Sequence, residues 1–232
     1  MFEVLTQLPA DPILGLSAAF KADTNPSKID LGVGVYKDEQ GHTPILDSVA
    51  KAQTILLGKE DSKTYITPQG VQGYIDGMLQ LMLGKGNPVL LANRIASVQA
   101  PGGCGALRIL SELIKRCDEN TTVWVSDPTW ANHIPLIGNA GLAIKTYPYF
   151  DKTNASINFD GMVESLDQVK KGDVVLLHGC CHNPTGADLT KEQWHVVLEL
   201  AQKTGFIPFV DTAYQGFGDG LEEDAYGMRL LV

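Results

Sequence analysis

The 232-residue sequence has few cysteines, no long apolar run and no excess of positive charge. Its four cysteines include no Cys-x-x-Cys pair, which favours reduced thiols over a disulfide framework. No apolar run approaches the roughly 20 residues that span a bilayer. The first residues, Met-Phe-Glu-Val, lack the basic and apolar regions of a signal peptide. We therefore expect a cytoplasmic protein that does not enter a membrane.

The balance of charge also limits the possible partners. The net charge is -9 and the sequence pI is about 4.9, so a polyanion would be repelled on average. This argues against binding to nucleic acid or to an anionic membrane surface. Because 44% of the residues are hydrophobic, the chain can bury a substantial core. An enzyme that acts on small molecules fits this composition better.

From about residue 95, apolar strand-like segments alternate with helical segments, which predicts a parallel sheet covered by helices. Thr190 and Gln193 are placed to form a capping box, and Gly205 to end the same helix. The predicted strands are 29–36, 96–99, 122–125, 143–147, 173–177 and 206–210. The predicted helices are 12–22, 44–57, 69–83, 106–117, 130–139, 159–169 and 191–203, and a loop is predicted at 61–70.

The segment 174–186, Val-Val-Leu-Leu-His-Gly-Cys-Cys-His-Asn-Pro-Thr-Gly, begins as a strand buried on both faces and ends in polar residues. Ligands of open α/β sheets bind at the carboxyl ends of strands, so this segment is predicted to form the floor of a site. Its Asn183-Pro184 bond is a candidate cis peptide. Its histidines and cysteines suggest zinc, but neighbours on an extended chain point to opposite sides. We therefore expect no metal here.

Three other segments place polar or aromatic residues after predicted strands. The glycine-rich segment 99–105 is suited either to holding a phosphate on backbone N–H groups or to a tight turn. Trp130 can stack on a planar ring or anchor a helix to the sheet. Asp211, followed by Tyr214, needs compensation for its burial, which a protonated pyridine nitrogen would supply. The alternative is that Asp211 caps the next turn.

Taken together, five segments resemble the aspartate and aromatic aminotransferases, which are fold-type I enzymes that use pyridoxal phosphate. The resemblance implies an α/β fold with three layers and a mostly parallel sheet, plus part of a small α/β domain. Residues 1–43 would form an N-terminal arm and part of the small domain, and residues 44–232 an incomplete cofactor-binding domain. The five segments are 31–36, 101–107, 127–133, 182–186 and 211–216.

The resemblance also implies roles for residues around the cofactor ring. Asp211 would pair with the pyridinium nitrogen, and His133 would support Asp211 from behind. Trp130 would stack on the ring, while Asn183 and Tyr214 would hydrogen-bond to the 3-oxygen of the ring.

Further implied roles concern the phosphate, the substrate and the partner subunit. Gly102, Gly103 and Cys104 would hold the phosphate, although the family usually has Ser or Thr where Cys104 stands. A thiol is a weaker donor than a hydroxyl. Tyr65 would reach the phosphate of the neighbouring subunit, which implies a homodimer with shared active sites. Gly34, together with Trp130 and Asn183, would contact the substrate.

The expected reaction is amino-group exchange between an L-amino acid and a 2-oxo acid such as 2-oxoglutarate, through pyridoxal and pyridoxamine phosphate. The segment 127–130 looks nearer to the aromatic enzymes and the segment 35–39 to the aspartate enzymes, so the substrate stays open. The family's cofactor-binding lysine and its substrate-binding arginines are expected beyond Val232, so no catalytic residue is assigned. The alternatives are a catalytically incompetent truncated protein and another activity that depends on pyridoxal phosphate.

Overall fold

The structure, a computed structural model, describes residues 2–4, 12–29 and 34–232. The chain forms two compact units, Met1–Thr64 and Tyr65–Val232. The expected N-terminal arm and the expected strand 29–36 lie partly outside the described residues. The domain boundary after residue 43 stays a prediction.

The first unit contains a short 3-10 helix (Phe2–Val4), helix α1 (Pro12–Ala22) and helix α2 (Asp47–Lys59). The bounds of α1 confirm the predicted helix. Helix α2 begins three residues later than predicted because Leu46, its N-cap, is still extended. It also continues through Gly58, which was predicted to follow its end. The N–H of Glu60 still bonds the carbonyl of Leu56, so the helical hydrogen bonds continue past the glycine.

The second unit is built on a four-stranded parallel sheet in the order β2-β1-β5-β6. These strands confirm four of the predictions to within one or two residues at each end. A short antiparallel pair, β3 and β4, was not predicted. The strands are β1 (Thr122–Asp127), β2 (Ala143–Pro148), β3 (Phe150–Asp151), β4 (Ser156–Ile157), β5 (Val174–His178) and β6 (Ile207–Asp211).

Seven helices in the described part of the second unit accompany the sheet. Helix α8 has the predicted capping box of Thr190 and Gln193, and Gly205 ends it with a left-handed φ of 80°. Helix α5 begins four residues earlier than predicted, and α6 begins three residues later because residues 130–132 form a turn. The helices are α3 (Gln72–Leu83), α4 (Pro88–Leu91), α5 (Gly102–Cys117), α6 (His133–Gly138), α7 (Phe159–Leu166), α8 (Lys191–Thr204) and α9 (Tyr226–Leu231).

Strand β5 separates two apolar cores and so defines three layers. Val174 and Leu176 pack on one face with residues of α5 and α6, such as Leu107 and Ile137. The alternate residues of the strand pack on the other face with α7, α8 and α9. Because successive side chains of a strand point to opposite faces, one apolar run serves both cores. The expected α/β class, with a mostly parallel sheet between helices, is confirmed.

The predicted strand at residues 96–99 is wrong. The segment has no regular secondary structure, no strand within the described ranges pairs with it, and the sheet ends at β6. Its one backbone hydrogen bond outside regular elements joins the N–H of Gln99 to the carbonyl of Gln69 at 2.7 Å. An apolar pattern alone does not supply the neighbour that a strand needs for its ladder of hydrogen bonds. No helix among the described residues is both long and apolar enough to cross a membrane.

The buried strand β5 leads to a stability prediction. Leu176→Ala should lower the free energy of unfolding by about 2–5 kcal/mol, because Leu176 is fully buried and its truncation leaves a cavity. The measurement is the urea dependence of far-ultraviolet circular dichroism. The matched control, Leu91→Ala, removes a leucine that is 78% exposed and should change the free energy by no more than about 0.5 kcal/mol. Equal effects of the two substitutions would contradict the assigned core.

Candidate active site

Asp211 is the last residue of β6, and its carboxylate is held from one side by His133. The Oδ2 atom of Asp211 lies 2.9 Å from Nε2 of His133. The His133 side chain is fully buried, whereas that of Asp211 is 21% exposed. In the register of β5 and β6, Asp211 is paired with His178. The carboxylate therefore stands at the carboxyl edge of the sheet, between the buried core and an accessible surface.

The contact between His133 and Asp211 is the last link of a chain of hydrogen bonds. Thr129 Oγ1 lies 2.7 Å from Nδ1 of His133 and 3.2 Å from Nε2 of His178. The backbone N–H of Asn183 donates to Nδ1 of His178 at 3.4 Å. These hydrogen bonds thus connect the polar loop after β5, the turn after β1 and the end of β6.

The end groups of this chain fix the direction of its hydrogen bonds. A backbone N–H can only donate, so Nδ1 of His178 accepts and its Nε2 carries the hydrogen that Thr129 receives. The Thr129 hydroxyl then donates to Nδ1 of His133. The Nε2–H of His133 donates in turn to the Asp211 carboxylate, which can only accept. All four hydrogen bonds then point toward Asp211.

Two histidines in this region are held neutral by their surroundings. Burial, reinforced by the neighbouring His182 and His133, lowers the pKa of His178 to about 2. Burial likewise lowers the pKa of His182 to about 4. The His182 ring lies 4.0 Å from the rings of both Tyr149 and His178, nearly parallel to Tyr149. Such packing leaves little water to stabilise an imidazolium cation.

The loop after β5 is fixed by a carboxylate that the sequence did not single out. Asp188 accepts hydrogen bonds from the backbone N–H groups of Cys181 and His182, at 2.6 and 2.8 Å. The peptide bond between Asn183 and Pro184 is cis, as the sequence suggested. A second cis peptide, between Asp127 and Pro128, was not predicted. Asn183 is therefore held in a loop whose backbone is bonded on its N-terminal side.

Trp130 contacts the same cluster through the edge of His133. The two ring centroids are 5.4 Å apart, with an angle of 89° between the rings. Trp130 also packs against the core that includes Val123 and Ile137. The sequence offered the anchoring of a helix to the sheet as one role of Trp130, but Trp130 lies in the turn before α6. Its packing therefore anchors this turn, and the partly exposed ring also borders the site.

Several polar groups of the cluster have capacity to bind a ligand. In the described part of the chain, no hydrogen-bond partner is found for Oδ1 of Asp211, the side-chain amide of Asn183 or the hydroxyl of Tyr214. The first turn of α5 also has no side-chain cap and no acidic residue. The N–H of Gly102, whose φ of 69° favours glycine, donates to the carbonyl of Ala100 at 2.8 Å, so the N–H groups available to a ligand begin at Gly103.

The structure brings some of the predicted site residues together and leaves others apart. Direct contacts connect Asp211, His133 and Trp130, and His178 connects them to Asn183. No hydrogen bond among the described residues joins this group to Gly102, Gly103, Cys104, Tyr65 or Tyr214. The side chain of Tyr65 is fully exposed. Gly34 belongs to the other compact unit.

Thr129 and His178 are the functional candidates whose contribution the sequence did not reveal. Thr129 precedes His133 by four residues, but its other partner, His178, lies 49 residues away in the chain. A spacing of four could have suggested the first contact. The second depends on β1 and β5 being neighbours in the sheet, which only the fold establishes.

Comparison with known proteins identifies the family. Residues 26–232 match the family described as aminotransferase class I and II. The chain belongs to this family. It is 48% identical over 232 residues to an aspartate aminotransferase of Haemophilus influenzae, covering all of this chain and 59% of the relative. It is 49% identical over 222 residues to an aromatic-amino-acid aminotransferase of Paracoccus denitrificans, covering 96% of this chain and 56% of the relative.

A solved structure supports the same relationship. An aromatic-amino-acid aminotransferase from Burkholderia pseudomallei, covalently bound to pyridoxal phosphate, superposes with a TM-score of 0.95 at 41% identity. The match covers all of this chain and 58% of that chain. The present chain therefore spans less than two thirds of the length of these relatives.

The neutral histidines lead to a prediction on pH. In the unfolded chain both rings bind a proton near pH 6.5, whereas the folded values are about 2 for His178 and about 4 for His182. Unfolding therefore takes up protons below about pH 6.5, so their contribution to stability is complete above that pH and declines as the pH falls. Each proton taken up changes the slope by about 1.4 kcal/mol per pH unit.

The measurement is the urea midpoint and m-value between pH 7 and pH 5 for the unmodified chain and for the double variant His178→Asn, His182→Asn. The double variant should be less stable at pH 7 and show a shallower decline toward pH 5. The control, His42→Asn, alters a histidine whose side chain is 79% exposed and should keep the original slope. A double variant with an unchanged slope would refute the neutral assignment.

Proposed function

We propose that this chain provides the cofactor-binding part of an enzyme that transfers an amino group between an L-amino acid and a 2-oxo acid with pyridoxal phosphate. The observation that carries the proposal is the Asp211 carboxylate. It lies at the carboxyl edge of the sheet, it is fixed through Oδ2 by a buried imidazole, and its other oxygen is free to accept a hydrogen bond.

The residues fit the cofactor by their chemistry. A protonated pyridine nitrogen is a cationic donor, and the free oxygen of Asp211 is the acceptor that matches it. The flat ring of Trp130 and the donors of Asn183 and Tyr214 suit an aromatic ring that carries an oxygen substituent. The uncapped N–H groups at the start of α5 suit a phosphate, since anions are stabilised at the N-terminus of a helix.

When bound, pyridoxal phosphate supplies an electron sink for the bond that breaks at the α-carbon of the substrate. The task of Asp211 is to keep the ring nitrogen protonated. His133 serves this task because its Nε2–H donates to the Asp211 carboxylate and so stabilises the negative charge. Thr129 and His178 hold His133 in the required tautomer, so they act as positioning residues.

The remaining roles follow the family resemblance and are part of the proposal. Gly102, Gly103 and Cys104 hold the phosphate, with Gly103 and Cys104 donating their backbone N–H groups. The exposed Tyr65 reaches the phosphate in a partner subunit, so the enzyme is a homodimer with shared sites. Gly34 contacts the substrate together with Trp130 and Asn183. A cytoplasmic location belongs to the same proposal.

The choice between aspartate and an aromatic amino acid stays open within this proposal. Relatives that carry the two names match this chain at nearly equal identity, 48% and 49%. The proposed substrates are therefore acidic L-amino acids, aromatic L-amino acids, or both of these classes.

The first test of the proposal is the affinity for pyridoxal phosphate, measured by absorption and fluorescence titration. Asp211→Asn should weaken binding about 10- to 100-fold, because a hydrogen bond to a charged group is worth about 1.5–3 kcal/mol. Glu164→Gln removes the same charge from an exposed position on α7 and should leave the affinity unchanged. Equal affinities of the unmodified chain and Asp211→Asn would overturn the assigned role.

Two other functions are distinguished by their products and adducts. A β-elimination activity, also dependent on pyridoxal phosphate, would release ammonia and pyruvate from a suitable amino acid. Amino transfer would instead require a 2-oxo acid and return a new amino acid. A non-catalytic cofactor-binding protein would give neither product.

Borohydride reduction of the 232-residue chain with the cofactor should give no adduct at a single lysine, since no lysine here matches the family motif.

A further inference from the structure

A second cluster of reactive side chains lies beside the loop that follows β5. It consists of Cys180, Cys181 and Asp224, whose sulfur and carboxylate oxygen atoms all lie within 4.8 Å of one another. We propose that this cluster, called here the dithiol site, binds a thiophilic divalent cation such as Zn²⁺ or Cd²⁺. The proposal is independent of the cofactor, because none of the three side chains has a proposed role in holding pyridoxal phosphate.

The conformation of the backbone at Cys181 places both thiols at the same site. Its φ of 48° lies in the left-handed region, which non-glycine residues rarely adopt. On an extended chain, neighbouring side chains would point to opposite sides, as assumed above from the sequence. The chain is not extended at Cys181, so the thiols of Cys180 and Cys181 can bind the same cation.

Hydrogen bonds hold the dithiol site in place from two directions. Asp188 accepts the N–H groups of Cys181 and His182, which fixes the backbone next to the thiols. On the other side, Asp224 accepts the N–H groups of Gly216, Gly218 and Asp219 at 2.7, 3.0 and 2.8 Å. Ligands that are already positioned lose less conformational freedom when a cation binds.

Burial and charge at the dithiol site also suit a cation. Cys180 and Asp224 are only 5% and 6% exposed, while Cys181 is half-buried and leaves a route of access. Three backbone N–H groups donate to the Asp224 carboxylate, and both of its oxygen atoms act as acceptors, as in an ionised carboxylate. The site therefore contains a buried negative charge that a cation would neutralise.

The kinds of atom at the site select the class of metal. Two thiolates and one carboxylate are ligands that Zn²⁺ accepts, and three protein ligands leave a fourth tetrahedral position for water. Mg²⁺ and Ca²⁺ prefer sites made of oxygen atoms, so they should bind poorly. On binding, two metal–sulfur bonds form and both thiols release their protons to solvent.

The neighbouring histidines are not ligands in this proposal. Both ring nitrogens of His178 are engaged, one by Thr129 and the other by the N–H of Asn183. The ring nitrogens of His182 are bonded to the hydroxyls of Ser126 and Thr185. The sequence led us to expect no metal at these histidines and cysteines, and the proposed site differs from that expectation by using two cysteines and an aspartate.

The test uses Cd²⁺ as the probe and the full 232-residue chain without cofactor. The two exposed cysteines are first removed in a Cys104→Ser, Cys117→Ser background. Titration of this background should give one Cd²⁺ per chain, with an ultraviolet charge-transfer band between thiolate and metal. Adding Cys181→Ser should weaken binding at least about tenfold and reduce the band. Mg²⁺ should not compete at equal concentration.

Thermal unfolding provides a second readout for the same variants. Zn²⁺ should raise the melting temperature of the background protein, because a ligand that binds only the folded chain stabilises it. The shift in melting temperature should be absent in the background protein that also carries Cys180→Ala and Cys181→Ala. The proposal is overturned if the background protein shows no charge-transfer band, or if the double alanine variant keeps the band and the thermal shift. Separate measurement of pyridoxal phosphate affinity distinguishes this failure from failure of the proposed function.

Discussion

The hydrogen bond between His133 and Asp211 is the interaction on which the candidate site depends. A carboxylate at the edge of a core is costly unless donors compensate for its desolvation. The Nε2–H of His133 supplies one such donor at 2.9 Å, and the hydrogen bonds behind it determine which ring nitrogen carries the hydrogen. This series of hydrogen bonds begins at a backbone N–H, which can only donate, and ends at a carboxylate, which accepts. Its direction therefore cannot be reversed.

The fold makes this series of hydrogen bonds possible, because the carboxyl ends of β1, β5 and β6 lie at one edge of the sheet. Strand β5 lies between β1 and β6, so the segments that follow these strands meet although they are far apart in sequence. The apolar residues of β5 fill the cores on both faces of the sheet, and this packing fixes the position of the strand between the two layers of helices. Packing thus determines where His178 and Asp211 lie, and hydrogen bonds determine how they are oriented.

Much of the fold was accessible from the sequence, but less of the site. The strands β1, β2, β5 and β6 follow from apolar runs, and the ends of α8 follow from its caps. The segment 96–99 misled because an apolar pattern does not show whether a partner strand is present. The linkage of Thr129 to His178 and the turn at Cys181 depend on tertiary contacts and on a rare backbone angle, neither of which has a local pattern.

The most direct test of the central claim is the tautomeric state of His133 and His178, measured by ¹⁵N NMR of the imidazole rings. The account predicts that in both rings the hydrogen is on Nε2 and Nδ1 is an acceptor. Substitution Thr129→Val should alter the shifts of both rings. A hydrogen on Nδ1 of either ring would contradict the direction of the hydrogen bonds that hold Asp211. A His178 ring protonated on both nitrogens would contradict it as well.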